Sequence, residues 1–188
     1  MSLEFFHDYS NKLSEVLGSQ DWTVLDKLIK DLKEARLNNK RVFLCGNGGS
    51  AANSMHMAND FVYGIGGADH RGLQAHALAA NQSLLTCLAN DLDYSEIFSY
   101  QLKMLAEKGD LLIVLSGSGN SANIINALEQ ARRTGIKSYA ILGYSGGTAK
   151  DIADEVIHFN INDMQISEDC QLIVGHMIMR CLNTESGN

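Results

Sequence analysis

Leu111-Leu112-Ile113-Val114-Leu115-Ser116-Gly117-Ser118-Gly119-Asn120-Ser121-Ala122 is the stretch whose reading decides the fold. Its apolar half has no internal polar break and follows Asp110, the pattern of a strand buried on both faces. Asn123-Ile124-Ile125-Asn126-Ala127-Leu128 then carries apolar positions at helical spacing. The Gly/Ser segment therefore joins the C-terminal end of a strand to the N-terminus of a helix. In open α/β sheets ligands bind there, and the free N–H groups and dipole of the helix collect an anion. Hydroxyls from Ser116, Ser118 and Ser121, with Gly117 and Gly119 leaving room, suit a phosphate monoester. The loop holds no lysine or arginine, and Gly-x-x-x-x-Gly-Lys-Ser/Thr is absent from the chain. That favours a phosphate held and released intact over phosphoryl transfer. A plain glycine-rich turn capped by Asn120 or Ser121 is the simpler alternative.

The same layout occurs about 70 residues earlier: Arg41-Val42-Phe43-Leu44-Cys45 reads as a strand, Gly46-Asn47-Gly48-Gly49-Ser50 as a loop, and Ala51 to Tyr63 as a helix. Both loops match G-x-G-x-x-A, but a dinucleotide site expects an acidic residue ending the second strand. Here Leu73 to Leu78 runs into Ala79-Ala80-Asn81, so no nucleotide cofactor is expected. Further strands read at Lys137–Leu142 and Glu155–Ile161. Helices read at Asn81–Ala89, Tyr94–Lys108 and Gln165–Leu182, with a helical pair, Leu3–Gly18 and Trp22–Asn38, ahead of the first strand. The expected architecture is a three-layer, flavodoxin-like doubly wound α/β sandwich whose five-stranded parallel sheet runs in the order 2-1-3-4-5.

At 188 residues the chain fits a single domain, with helices over 1–39 and the α/β core over 40–184. Fifteen basic residues against 22 acidic ones give a net charge of −7, and the basic residues are scattered, so no nucleic-acid partner is expected. Apolar runs stop far short of the roughly 20 residues a membrane helix needs, and no leader pattern opens the chain; the expected location is cytoplasmic, away from membranes. Cys45, Cys87, Cys170 and Cys181 form no C-x-x-C pair and read as buried, reduced thiols.

Acid–base chemistry has few candidates. His56 and Asp60 lie four apart on one helix face, which by itself reads as an i,i+4 pair. In the last helix His176 follows Asp169 by seven residues and Glu168 by eight, so Asp169 aligns with it better than Glu168. A single imidazole in so apolar a helix is more often a satisfied core group than a ligand. A carboxylate and an imidazole near a phosphate cradle are nevertheless what enolisation needs, a base at the carbon α to a carbonyl and an acid at its neighbour. His7, His70, His76 and His158 show no partner pattern.

Cys45-Gly-Asn-Gly-Gly-Ser-Ala-Ala, Met55-His56-Met57-Ala58, Asn90-Asp91, Ser116-Gly-Ser-Gly-Asn-Ser-Ala-Asn123 and a final helix with Glu168 and His176 resemble the sugar isomerase (SIS) domain, in particular its phosphoheptose isomerase subgroup. The resemblance implies a homotetramer with sites between subunits, converting sedoheptulose 7-phosphate to D-glycero-D-manno-heptose 7-phosphate. Position by position it implies catalytic roles for Asp60 and His176. Phosphate or sugar contacts fall on Asn47, Gly48, Gly49, Ser50, Asn90, Asp91, Ser116, Gly117, Ser118, Gly119, Asn120, Ser121 and Glu168. It also implies a zinc site at His56, Asp60, Glu168 and His176, which the roughly 12 Å of helix rise between Glu168 and His176 strains. The sequence departs from the family where Asp60 replaces a glutamate, Glu168 replaces a glutamine, an arginine is missing near Gly64, and Ala79-Ala80-Asn81 replaces a hydroxyl residue and an aspartate. Three readings stay open: a phosphoheptose isomerase, an isomerase of another sugar phosphate, and a non-catalytic relative like the replication-initiation regulator of this fold, which acts by binding protein.

Overall fold

The computed structural model describes residues 2–66 and 71–184, so His70 lies outside the described residues. Two helices, α1 (Ser2–Gly18) and α2 (Thr23–Leu37), precede a sheet of β1 (Arg41–Gly46), β2 (Gln74–Ala77), β3 (Leu111–Ser116), β4 (Lys137–Leu142) and β5 (Glu155–His158). The connecting helices are α3 (Gly48–Asn59), α4 (Gln82–Asp91), α5 (Ser99–Leu105), α6 (Ala122–Thr134) and α7 (Ala149–Ile152), and α8 (Met164–Thr184) ends the fold. All strand pairs are parallel, in the order β2-β1-β3-β4-β5, as the alternation of strands and helices requires.

Alternation along the central strand sorts the core into two layers. Leu111, Ile113 and Leu115 face a cluster with Leu28 and Leu32 of α2, Met57 of α3, and Val174 and Ile178 of α8. Leu112 and Val114 face the other cluster, with Leu88, Leu102, Ile124 and Leu128 of α4, α5 and α6. Every residue of β3 is buried, which explains its continuous apolar run. The N-terminal pair is fastened to α8: Tyr9 Oη donates to Asp169 Oδ2 at 2.5 Å and Lys12 Nζ lies 2.9 Å from Asp163 Oδ2. The bond from Tyr9 therefore takes the Asp169 carboxylate toward α1, and with burial it pushes the Tyr9 phenol up to about 12.

Several sequence expectations need correcting. The helix after the first loop begins at Gly48, because the Gly-Gly pair forms its first turn, and it does not run regularly to Tyr63. It widens at Asp60–Gly64 into a π turn closed by Ile65 N–H to Asp60 O at 3.0 Å, while the Phe61 carbonyl accepts from Leu73 N–H instead of continuing a helix. The Tyr94–Lys108 segment is a 3₁₀ turn, Tyr94–Glu96, followed by α5 alone. β5 stops at His158, three residues early. The four cysteines are free, but Cys87 is exposed and Cys181 only half-buried: α4 turns Cys87 outward, where its thiol lies 3.5 Å from Asp91 Oδ2.

Candidate active site

The cradle forms where β1 and β3 end side by side, so that the loops after them open at the same edge of the sheet. Asn47, Gly48, Gly49, Ser50, Ser116, Gly117, Ser118, Ser121 and Glu168 line one cavity of about 280 Å³, closed by Leu115 and Met164. None of the lining residues is a lysine or arginine, so the donors are hydroxyls, amides and the first turns of α3 and α6. A reciprocal amide pair holds the loops together: Asn47 Nδ2 donates to Asn123 Oδ1 at 2.9 Å, and Asn123 Nδ2 donates to Asn47 Oδ1 at 2.8 Å. Tyr94 adds its hydroxyl to Asn47 Oδ1 at 3.0 Å. Ser116 Oγ accepts the Gly119 N–H at 3.0 Å and so shapes the second loop from inside. Burial drives the Cys45 thiol far above its ordinary value, which removes it as a thiolate nucleophile beside the first loop.

Four residues expected to line the cradle do not. The Asn120 side chain turns outward and accepts from the N–H and hydroxyl of Thr148 at 3.0 and 3.2 Å, and the Gly119 carbonyl accepts from Ala149 N–H. Both serve to brace the loop against the turn before α7. Asn90 and Asp91 end α4 outside the lining of the cavity, Asn90 Nδ2 donating to Asp91 Oδ1 at 2.8 Å.

The second half of the site lies down one stripe of α3. Gly49, Asn53, His56 and Asp60 recur at four, three and four, so they share a face. That face meets α8. Asn53 Nδ2 donates to the Glu168 carbonyl at 3.0 Å and to Gln171 Oε1 at 3.2 Å, and Gly175 packs under Met57 so tightly that a β-carbon there would lie 2.6 Å from Met57 Cγ. The approach brings the two imidazoles together: His56 Nε2 is 3.1 Å from His176 Nε2, and Asp60 Oδ2 is 3.5 Å from the first and 3.8 Å from the second. His176 is therefore no core residue; its side chain is 46% exposed beside a carboxylate that is only 15% exposed. At 3.1 Å the two Nε2 atoms are within hydrogen-bond distance, and the tautomer decides which of them donates.

Three metal-capable groups converge here, with ligand atoms within 4.8 Å of one another: His56, Asp60 and His176. Glu168 is not among them. Its carboxylate lies at the cradle, where a β-carbon on Gly49 would be 2.2 Å from Oε2, so the four-ligand set is corrected to three by the separation of Glu168 and His176 along α8. Sequence reasoning missed Asn53, Gln171, Tyr94, Met164 and Gly175. The polar stripe on α3 was the one signal that could have pointed to Asn53.

A cavity lined by hydroxyls and backbone amides without a cation, and a His–Asp cluster about two helical turns along α3, define the site. The SIS domain family model matches residues 4–143, and the chain belongs to that family. Its relatives include the phosphoheptose isomerase of Chlorobaculum parvum, 36% identical over 181 residues, which span 95% of this chain and 87% of the relative. The phosphoheptose isomerase of a Nitratiruptor species is 39% identical over 77% of each chain. A solved phosphoheptose isomerase from Neisseria gonorrhoeae superposes with a TM-score of 0.88 over 98% of this chain and all of that one, at 24% identity, so the shared fold is the finding there.

Proposed function

We propose that the chain is an aldose–ketose isomerase that converts sedoheptulose 7-phosphate to D-glycero-D-manno-heptose 7-phosphate through an enediol(ate). The observation that carries this reading is the His56–Asp60–His176 cluster on the same helix stripe as the cradle. Seven residues of α3 separate Gly49 from His56, about 10 Å of rise. An extended carbon chain advances about 1.2 Å per bond, so the eight bonds from phosphorus to C1 of a heptose 7-phosphate span about 10 Å, whereas the four bonds of a triose phosphate span about 5 Å. A long open-chain sugar phosphate thus reaches from the hydroxyls to the cluster. The names carried by the relatives support the heptose.

In this reading Ser50, Ser116, Ser118 and Ser121, with the first turns of α3 and α6, hold the phosphate unchanged throughout. Asp60 removes the proton from C1 of the ketose. The Nε2–H shared by His176 and His56 donates to the C2 carbonyl oxygen; return of the proton from Asp60 to C2, with the O1–H proton passing back to the vacated Nε2, gives the aldose, and each such group contributes roughly 10²–10⁴-fold. The cluster also fits zinc. Its edges of 3.1, 3.5 and 3.8 Å bracket the roughly 3.3–3.4 Å between ligands of a tetrahedral ion bonded at about 2.0–2.1 Å. His56, Asp60 and His176 would hold the ion through the same two Nε2 atoms and carboxylate, in place of their acid and base roles, and there it would supply Lewis-acid polarisation of the substrate carbonyl.

Exposed Met55, Val62, Tyr63 and Met177 lie on the same helices and turn as the cluster, which supports a homotetramer with sites near subunit boundaries. Among the described residues no helix is long and apolar enough to cross a membrane, which fits the cytoplasmic setting this reading assumes. The test is incubation with sedoheptulose 7-phosphate in deuterated water, read by NMR. The expected result is the aldose heptose 7-phosphate with solvent deuterium at C2. Tight binding with neither turnover nor exchange at C1 or C2 would replace the enzyme with a binding protein.

A further inference from the structure

The cradle contains an anion of its own. Glu168 projects from the first turns of α8 so that a β-carbon on Gly49 would lie 2.2, 2.4 and 2.5 Å from its Oε2, Cδ and Oε1. The carboxylate thus packs over Gly49 in the first turn of α3 and lines the same cavity as Gly48 and Ser50, beside the helix end whose dipole favours negative charge. A bound phosphate would be drawn to this same place. The other polar residues lining the cavity, Asn47, Ser50, Ser116, Ser118 and Ser121, are neutral, so no cation offsets a second negative charge.

We propose that Glu168 is a specificity-determining residue of the cradle, a resident carboxylate that penalises phosphate as such and is compensated only when the phosphate carries a polyhydroxylated chain. The inference rests on the sugar-phosphate reading of the cavity. An ionised carboxylate only accepts hydrogen bonds, and the hydroxyls on the carbons nearest a phosphoester are donors within its reach. Those bonds are charge-assisted and stronger than their neutral counterparts. Inorganic phosphate meets the repulsion without that return. Selectivity here comes from a group built against the wrong ligand as much as from contacts with the right one.

The experiment is calorimetric titration of wild type, Glu168→Gln and Glu168→Ala with inorganic phosphate and with sedoheptulose 7-phosphate, after thermal melts have shown each variant to be folded. Glutamine keeps the length that packs on Gly49 and removes the charge. Glu168→Gln is expected to bind inorganic phosphate about tenfold more tightly, the scale of one like-charge repulsion at these separations. The sugar phosphate should gain less, so its preference over inorganic phosphate shrinks. Unchanged or weaker phosphate binding in Glu168→Gln overturns the proposal, as does an equal gain for both ligands or the absence of phosphate binding in wild type and variant alike. Tightening in Glu168→Ala alone would assign the effect to bulk and overturn the role of charge. Binding is read instead of turnover, so a chain that isomerises nothing would sink the enzymatic reading while the titrations would still decide the role of Glu168.

Discussion

Replacing Gly175 by alanine probes the point where α3 and α8 come closest. The added β-carbon would lie 2.6 Å from Met57 Cγ and 3.2 Å from Sδ, and Met57 is fully buried. Cγ is close to the backbone, so the clash is relieved only by changing the whole Met57 side chain or by parting the helices. Overpacking of this kind costs about 1–3 kcal/mol. Alanine returns about 1 kcal/mol through helix propensity. The net loss is about 0–2 kcal/mol, which at about 2–4 °C per kcal/mol for a chain this long lowers Tm by up to about 8 °C. The catalytic effect should exceed the stability effect. His176 is the next residue, and a shift of about 1 Å between acid and base costs up to about 10²-fold in kcat. KM should change little, because the cradle is built about two helical turns away. Urea denaturation and steady-state isomerase assays on wild type, Gly175→Ala, Met57→Ala and the double variant separate these effects. In the Met57→Ala background the alanine should cost nothing, a coupling of about 1 kcal/mol or more. A Gly175→Ala protein that gains the full propensity benefit and keeps its kcat would refute this account of the helix contact.

Three further outcomes are expected. Asp60→Asn should abolish deuterium exchange at C1 and lower kcat by roughly 10²–10⁴-fold while phosphate affinity, measured by titration, stays within about twofold, since Asp60 does not line the cradle. Zinc uptake measured by competition with a chromophoric chelator should be lost in His56→Ala and His176→Ala and retained in Glu168→Ala; equal loss in all three would restore the four-ligand set. Burial alone would raise the Asp31 carboxyl, but hydrogen bonds from Lys137, 2.8 Å away, and Tyr139, 2.5 Å away, outweigh it and hold Asp31 below its ordinary value. A carboxyl depressed in the folded state stabilises the fold above its unfolded value near pH 4 and loses that contribution as the pH falls through the folded value. Asp31→Asn should therefore flatten the acid-side decline of the urea midpoint between about pH 5 and pH 2.

The parts of this fold readable from sequence are those written in local periodicity. The unbroken run Leu111–Leu115 announces a central strand, and the two Gly/Ser loops after strands place the cradle at the right edge of a sheet whose parallel pairing follows from alternation. The resemblance singled out His176, but its own helix read it as a core group for a physical reason. Its neighbours in α8 are apolar, and its partners His56 and Asp60 are more than a hundred residues away, brought close by Gly175, Met57 and the Asn53–Gln171 contact. The π turn at Asp60 was equally hidden, because Asp-Phe-Val-Tyr has ordinary helical composition and the widening comes from the Phe61 carbonyl pairing with Leu73. Glu168 counted as a metal ligand through the family resemblance, although its spacing from His176 strained that role; packing against Gly49 placed it with the two Gly/Ser loops.

The paired amides of Asn47 and Asn123 also bear on how the chain reaches its native state. β1 and β2 can pair as an early unit through a connection of moderate length, but β3 joins the free edge of β1 only after the chain has passed through α4 and α5. Asn47 and Asn123 are 76 residues apart, and no part of the chain shorter than that span can join them. Contacts of such separation form late, because loop closure must be paid for first. The complete cavity accordingly exists only once both loops have met, since residues from each of them line it. A ligand of that cavity at about a hundred times its Kd stabilises the finished fold by about 2.7 kcal/mol and gives nothing to chains in which the loops are apart. Protection by a ligand of this cavity therefore reports on one event, the meeting of the two loops, and would be absent from any fragment that ends before Asn123.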